Sequence, residues 1–465
     1  MTNIVDQYLD TRYADLKDLA DKIWQNPELA FREFKSSKLI VDFLKEEGFT
    51  VEYPYVGMQT AIRAEWGEGK PVIGFLGEYD ALAGLSQKST TKKEPISPDG
   101  PGHGCGHNLI AMSAVGAAIG LKHLLEETHT EGTVVFYGCP GEETLTGKGF
   151  MARGGAFKEL DAALSFHSSN TNFVNVNRMT ATRNVEFHFE GTASHAALSP
   201  ERGRSALKAV ELTNIAANYM REHLPSEVRM HYSITDGGPA PNIVAPKASV
   251  WYYVRAFDTQ ILNNTYDWLV QCAKAAAMAT QTKLEIQYNG GCNPCMPNHV
   301  LAEVILENMD KFPAPNFTDD EKKFAYGINL NSPLYKGTVG TDHEVTLENS
   351  LATKTEQKPP HDMYASNDTG DVQHIVPGVA LNLAGYNSLG TAHSWMITAC
   401  VGTEIGTKVG LRAAKILAQS AYDMIKTPSI LKAAKEEFDK KMNGRGYESF
   451  VADIPLPHFT EPVED

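Results

Sequence analysis

The sequence is poor in cysteine, in positive charge and in long apolar runs, and each shortage excludes a class of protein. Its 465 residues include 6 cysteines, too few for a disulfide-stabilised scaffold. Lys and Arg number 42 against 57 Asp and Glu, so the net charge at pH 7 is −15. This charge argues against a nucleic-acid groove, which needs a basic stripe. It does not exclude an anionic substrate, because a local pocket can oppose the overall charge.

No segment has the pattern of a secretory signal or of a membrane span. Residues 1–13 have neither a basic start nor an apolar core. The most apolar helical stretch, 109–125, contains Lys122 and His123 and is too short to cross a bilayer. We therefore expect a cytoplasmic protein whose thiols are reduced.

The composition is that of a globular protein, with 42% hydrophobic and 21% charged residues, and the length suits two or three domains. Three apolar runs, 72–77, 132–138 and 162–166, predict buried strands with helical segments between them. Each run is followed at once by polar side chains. Because ligands bind at the carboxyl edge of open α/β sheets, we expect these side chains to share a site.

The middle of the chain changes pattern. Alternating apolar residues predict four strands, and two amphipathic segments predict helices, in the order β-α-β-β-α-β of a split βαβ unit. We therefore predict an α/β protein with a catalytic domain formed by residues 1–182 and 292–465. Residues 183–291 would form an inserted α+β domain.

The candidate chemistry lies at the ends of the predicted core strands and near the end of the chain. It comprises the pair Cys105 and His107, the adjacent Glu142 and Glu143, and the separate histidines His167 and His393. Thiolate, imidazole and carboxylate together suit Zn²⁺ and accept Mn²⁺ or Co²⁺. Since adjacent glutamates cannot easily point the same way, one can bind metal while the other acts as general base.

Each signal has a plainer explanation when it is taken alone. A Cys-x-His pair is commonly a loop cysteine beside a hydrogen-bonded histidine, and a Glu-Glu pair is commonly solvated surface. A histidine after an apolar strand is commonly a hydrogen-bonded strand end. The placement of these residues at successive strand ends is what favours a metal site.

Several motifs together resemble one family, the di-metal aminoacylase/carboxypeptidase amidohydrolases. The branch with the most similar motifs contains the B-type p-aminobenzoyl-glutamate hydrolases, dipeptidases and amino-acid-conjugate hydrolases. The order and spacing match over nearly the whole chain. The motifs are GEYDAL at 77–82, GCGHN at 104–108, PGEE at 140–143, GTASHA at 191–196, ITDGG at 234–238, PNIV at 241–244 and TAHSW at 391–395.

The resemblance implies a mixed-sheet catalytic domain of the di-metal exopeptidase type, with two divalent ions per subunit. The ions would be zinc or manganese, with cobalt as an alternative. Cys105 would bridge the two ions. His107 and Glu143 would complete one site, and His167 and His393 the other. Asp80 would orient a ligand histidine from outside the metal shell.

The resemblance also implies the catalytic and substrate-binding residues. Glu142 would be the general base and then the acid to the leaving amine. The inserted domain would be a lid that forms a homodimer, and its His195 would stabilise the oxyanion in the partner's site. Asn242 and Arg255 would bind the substrate carboxylate or the oxyanion. For Arg255 a strand-end salt bridge is an equal alternative.

Several further residues have two open interpretations. His231 either lines the pocket or packs within the lid, and His103 is either an extra ligand or a packed loop histidine. Cys292 and Cys295 are either a structural turn or half of a zinc or redox motif. The segment 366–371, which contains Asp368 and Asp371, either contacts substrate or caps a helix.

The sequence departs from the commonest family pattern at one position. That pattern has a ligand histidine where this chain has Glu78, so we expect the first ligand to come from elsewhere. We expect a hydrolase of N-acyl or aroyl amino acids, of the p-aminobenzoyl-glutamate type. The alternatives are a dipeptidase, an indole-acetyl-amino-acid conjugate hydrolase, or a non-catalytic metal-binding regulatory subunit. A hetero-oligomer with a related second chain is the alternative to the homodimer; neither nucleic acid nor membrane is expected as a partner.

Overall fold

A computed structural model describes residues 4–356 and 361–461. The strands are β1 Thr50–Glu52, β2 Ile62–Glu68, β3 Val72–Glu78, β4 Gly132–Cys139, β5 Ala162–Ser169, β6 Phe173–Asn175, β7 Arg178–Met179, β8 Ala181–Glu190, β9 Arg229–Asp236, β10 Lys247–Ala256, β11 Lys283–Cys292, β12 Asp362–Met363 and β13 Gly378–Ala384. The helices are α1 Ile4–Thr11, α2 Tyr13–Gln25, α3 Phe34–Glu46, α4 His107–Thr128, α5 Gly147–Arg153, α6 Ala206–Met220, α7 Thr259–Thr280, α8 His299–Lys311, α9 Asp319–Leu330, α10 Thr369–Gln373, α11 Trp395–Val401, α12 Glu404–Lys426 and α13 Pro428–Met442.

The larger sheet has seven strands in the order β1-β2-β4-β3-β5-β13-β6. Its four central strands, β4, β3, β5 and β13, are parallel, and antiparallel strands continue the sheet on both sides. Every residue of β3 and β4 is buried, as expected for parallel strands covered on both faces. The predicted α/β class with a mixed sheet is confirmed.

Helix α4 runs through the core against α12. Its apolar residues face neighbours nearly all round, and Gly116 and Gly120 allow the two helices to approach closely. A Cβ atom at Gly116 would lie 2.8 Å from the Cβ atom of Ala414 on α12. Among the described residues α4 is the one helix long and apolar enough to cross a membrane, and 89% of its most apolar window is buried inside the fold. That burial is typical of a core helix.

The smaller sheet has four antiparallel strands in the order β11-β8-β10-β9, with α6 and α7 packed on one face. We call this unit, residues 181–292, the lid. It contains the predicted β-α-β-β-α-β order. Strand β9 forms one edge of this sheet. The division of the chain at 183 and 291 stays a prediction, although the sheet begins and ends within two residues of those limits.

Two parts of the larger domain differ from the sequence-based expectations. The apolar periodicity of residues 5–27 predicts one amphipathic helix, whereas the structure has two, α1 and α2, which meet at Arg12. The central strand β13 was not predicted as part of the sheet. It lies between β5 and β6 and follows α10.

Candidate metal centre and active site

The carboxyl ends of three neighbouring strands bring the predicted chemical groups together. Strand β3 ends with Glu78 and is followed by Asp80, β4 leads directly to Glu142 and Glu143, and His167 lies near the end of β5. The loop before α4 adds Cys105, and His107 is the first residue of that helix. The alternation of side chains along an extended strand explains why Glu78 and Asp80 point to the same side.

Cys105 lies between two groups of donor atoms. Its thiol forms one compact group with His107 and His167, and a second with Glu143 and His393. The Sγ atom lies 3.3 Å from Nε2 of His167, and Nε2 of His393 lies 3.5 Å from the Glu143 carboxylate. The two groups share only the thiol. The family resemblance paired His107 with Glu143, and His167 with His393. In the structure, His107 instead shares a group of donor atoms with His167. The assignment of ligands to individual ions therefore stays a prediction.

Asp80 fixes the orientation of the buried His107 ring. Its carboxylate lies 2.8 Å from Nδ1 of His107, and its other oxygen accepts a hydrogen bond from the Glu143 amide at 2.9 Å. Nε2 of His107 therefore points toward three carboxylates, those of Glu78, Glu142 and Glu143, at 3.6 to 3.8 Å. Two of these, Glu78 and Glu142, form a third compact group of donor atoms with His107. This is the arrangement in which a carboxylate orients a metal-binding imidazole.

The centre holds more negative charge than its own side chains neutralise. Burial, together with the charges of Glu78 and Glu143, raises the pKa of Glu142 well above its usual range. Burial raises the pKa of Glu143 to about 7 and that of the Cys105 thiol to about 12. Nε2 of His107 and Oε1 of Glu143 are buried without a hydrogen-bond partner. These donor atoms fit a bound divalent cation, which would satisfy them and stabilise the thiolate.

A buried lysine joins this centre to the segment before β13. Nζ of Lys148 lies 2.6 Å from Oε1 of Glu78 and 2.5 Å from Oδ1 of Asp368, and all three side chains are almost completely buried. Burial disfavours the charged ammonium, but the two carboxylates raise its pKa well above the usual range. Burial likewise opposes ionisation of Glu78, but Lys148 and His107 hold its pKa below the usual value. Glu78 is thus fixed as a carboxylate facing His107.

The centre opens on a cavity of about 850 Å³ that reaches the lid. The lid contributes Arg229, His231, Tyr253 and Arg255 to its wall. Burial, and then the charge of Arg255, lower the pKa of His231, whose ring stacks on Tyr253. His231 therefore lines the pocket. Arg255 donates to the Ser366 hydroxyl at 2.7 Å and forms no ion pair with a carboxylate of the described residues, so the salt-bridge alternative is not observed.

His195 and Asn242 lie together on the lid surface, away from the cavity lining of their own chain. Both side chains are exposed, and the two segments are joined by a hydrogen bond from the Ala196 amide to the Asn242 carbonyl at 2.9 Å. Nδ1 of His195 accepts hydrogen bonds from the amides of Ala197 and Leu198. In the neutral ring the proton is therefore on Nε2, which can act as a donor.

The remaining candidates occupy structural positions. His103 is buried, and its Nε2 lies 3.1 Å from the Ile23 carbonyl, outside the donor groups around Cys105. Cys292 and Cys295 are buried free thiols; Cys292 is the last residue of β11, and Cys295 follows in the next loop. The Asp371 carboxylate accepts from Asn293 and Tyr447. Asp368 precedes α10, but its carboxylate binds Lys148 and makes no capping hydrogen bond.

Three residues of this site were not predicted from the sequence. Glu78 was set aside because it replaces a ligand histidine, although its spacing from Asp80 indicated a shared direction. Arg229 alternates with His231 along β9, and that periodicity could have placed it on the same wall. Lys148 gives no local signal, because its partners are 70 and 220 residues away in sequence.

Replacement of Lys148 by methionine should destabilise the fold strongly. The apolar side chain would leave Glu78 and Asp368 buried without a counter-charge, which typically costs about 3–5 kcal/mol. We expect that loss in the free energy of unfolding, measured by denaturant titration with chelator present. The control Lys22→Met removes an exposed pair with Asp18 and should cost less than about 1 kcal/mol. Equal losses in the two variants would contradict a stabilising role for the buried pair.

Comparison with known proteins identifies the family. The pattern of Peptidase family M20/M25/M40 matches residues 74–395. The chain is 34% identical to the B subunit of p-aminobenzoyl-glutamate hydrolase from Escherichia coli (strain K12), with 98% of both chains covered. It is 30% identical to the Xaa-Arg dipeptidase of Mus musculus, with 93% of this chain and 91% of the relative covered. The fold resembles the crystal structure of the dinuclear metal-binding YXEP protein of Bacillus subtilis, with a TM-score of 0.52, 17% identity, and 88% and 99% of the two chains covered. The chain therefore belongs to the peptidase family M20/M25/M40 and is a hydrolase of amide bonds.

Proposed function

We propose that the protein is a di-metal hydrolase of N-aroyl amino acids, with p-aminobenzoyl-glutamate as its model substrate. The observation that carries this proposal is the position of Glu142. Its carboxylate lies beside the donor groups that share Cys105, and it lines the cavity that also contains Arg255. A base, a cation site and a carboxylate receptor on one cavity are what hydrolysis of an N-acyl amino acid requires.

Five side chains would hold the metal ions, namely Cys105, His107, Glu143, His167 and His393. The shared thiol supports two ions, and the B. subtilis protein of the same fold is described as a dinuclear metal-binding peptidase. Thiolate and imidazole favour zinc, while the carboxylate accepts manganese or cobalt. When bound, the ions would supply a Lewis acid for the scissile carbonyl and lower the pKa of the attacking water.

Glu142 moves the protons of the reaction. As a carboxylate it takes a proton from the water that attacks the amide carbon, and it then delivers that proton to the leaving nitrogen. Glu143 would bind metal instead, because its carboxylate forms a compact group of donor atoms with Cys105 and His393. In this proposal the adjacent glutamates therefore have different tasks.

The cavity wall suits an aromatic acyl group and a free carboxylate. Arg255 has hydrogen-bonding capacity beyond its contact with Ser366 and would bind the carboxylate beside the scissile amide. Apolar side chains line other parts of the cavity, including Phe173, Met179 and Met363. The E. coli relative is named for a substrate that has an aromatic acyl group and this carboxylate.

We propose a dimer formed through the lid, in which each subunit completes the other's site. Most of the exposed large hydrophobic side chains lie on the lid, among them Ile215 and Tyr219 on α6 and Ile234 on the edge strand β9. A second copy would cover them and bring His195 and Asn242 to the partner's cavity. The E. coli relative is named as one of the subunits of its hydrolase, which supports a related second chain as the alternative partner.

Glu142→Gln should abolish turnover without loss of metal. The amide keeps the shape of the side chain but cannot accept the proton, so the rate should fall by roughly 10²–10⁴-fold or more. The assay is release of 4-aminobenzoate from 4-aminobenzoyl-L-glutamate by protein loaded with Zn²⁺, Mn²⁺ or Co²⁺, with metal counted by mass spectrometry. The exposed Glu127→Gln is the matched control. Activity that persists in chelated, metal-free protein would refute the mechanism, and metal loss in Glu142→Gln would make Glu142 a ligand.

Mixing two inactive variants should restore activity if His195 acts in the partner subunit. His195→Ala should lower kcat by roughly 10²–10³-fold with unchanged metal content, because the lost donor stabilises charge only in the transition state. In a mixed dimer of His195→Ala and Glu142→Gln, one site has both an intact Glu142 and an intact His195. The mixture should therefore regain part of the wild-type rate. If tagged subunits exchange and the mixture remains inactive, His195 does not act across a dimer.

A further inference from the structure

Two arginines stand opposite each other on the cavity face of the lid, with no carboxylate beside either. Arg229 on β9 and Arg255 on β10 are direct partners in the antiparallel register. The next pair on the same face of the sheet is His231 with Tyr253. All four side chains line the cavity. Neither arginine forms an ion pair with a carboxylate within the described ranges. The lid end of the cavity therefore has two uncompensated positive charges.

This arrangement favours a bound anion, because two like charges lie close together and Arg255 is largely shielded from solvent. Directly opposed residues of an antiparallel pair have Cα atoms about 4.5–5.5 Å apart, and like charges at such positions repel. Arg255 is more than half-buried, and burial lowers its pKa because it disfavours the charged guanidinium. The contacts of Arg229 are the Ser226 carbonyl at 2.6 Å, the Val228 carbonyl at 3.1 Å and the ring of Tyr364 at 3.9 Å. These contacts orient the guanidinium without neutralising it.

The segment 364–368 connects the two arginines to the metal centre through successive contacts. Tyr364 contacts Arg229, Ser366 contacts Arg255, and Asp368 contacts Lys148, which in turn holds Glu78. Two residues of chain span at most about 7 Å, so successive contacts are close together. Along this segment, the residue that contacts Arg255 is two residues from the one that contacts Lys148, and the residue that contacts Arg229 is four residues from it.

We propose that Arg229 is a specificity residue that binds a carboxylate on the side chain of the substrate's amino acid. The inference rests on the proposed amide hydrolysis and specifies its substrate class as N-aroyl derivatives of acidic amino acids. Arg255 takes the carboxylate next to the scissile amide. Arg229, beside it on the same face, takes the second carboxylate. A neutral side chain leaves Arg229 without a counter-ion, and a basic side chain is repelled by both arginines.

The test compares two substrates of the same shape, 4-aminobenzoyl-L-glutamate and 4-aminobenzoyl-L-glutamine. A charge-assisted hydrogen bond predicts that the wild type prefers glutamate in kcat/KM by roughly 10- to 100-fold. Arg229→Met should reduce that preference to within about threefold, and Arg229→Lys should keep part of it. Lys274→Met removes one exposed positive charge from α7, outside the cavity lining, and should keep the wild-type preference.

The glutamine substrate distinguishes a misfolded variant from one that has lost only the Arg229 contact. A variant that misfolds loses both substrates, whereas loss of the Arg229 contact changes their ratio. Arg255→Met should lower kcat/KM for both substrates by similar factors, because both have the carboxylate beside the amide. A wild type that cleaves both equally well, or an Arg229→Met variant that keeps the full preference, overturns the role of Arg229 while leaving amide hydrolysis in place. A wild type that releases 4-aminobenzoate from neither substrate overturns the proposed function and this subsite with it.

Discussion

Negative charge gathered at the carboxyl edge of the larger sheet is the constraint on which the rest of the site depends. Glu78, Glu142 and Glu143 all face Nε2 of His107 in a buried space, and the Cys105 thiol lies beside them. Buried charges of one sign are costly unless a counter-charge is present. Lys148 provides one such counter-charge. The remaining carboxylates and the Cys105 thiol lie where bound metal ions can provide the other counter-charges. The parallel strand order matters because it brings these residues to one edge from three separate stretches of sequence.

The lid presents the opposite charge to the same cavity. Arg229 and Arg255 face the opening with no carboxylate of the described chain beside them, whereas the metal centre is rich in carboxylates. In the proposed binding mode, the scissile carbonyl of an N-acyl amino acid would face the cations and its carboxylate would face the arginines of the lid. The overall charge of −15 therefore says little about the substrate, because the local arrangement at the lid is positive.

Much of the site could be predicted from sequence because its residues follow regular strands. The runs at 72–77, 132–138 and 162–166 identified the strands, and the polar residues after them identified the edge. What could not be predicted depends on contacts between distant segments. Lys148 reaches Asp368 across 220 residues, and the place of β13 between β5 and β6 depends on pairing with strands that are distant in sequence. Glu78 was misjudged for another reason, since comparison with a ligand histidine hid its role as a carboxylate fixed beside His107.

The thiolate of Cys105 shared by two ions is the central claim, and X-ray absorption at the metal edge tests it most directly. For protein loaded with two zinc ions per chain, the account predicts one sulfur neighbour per zinc at about 2.3 Å together with a zinc–zinc scattering contribution. In Cys105→Ser the sulfur contribution should disappear and both ions should bind more weakly. A spectrum with only nitrogen and oxygen neighbours in the fully loaded wild type would contradict the claim.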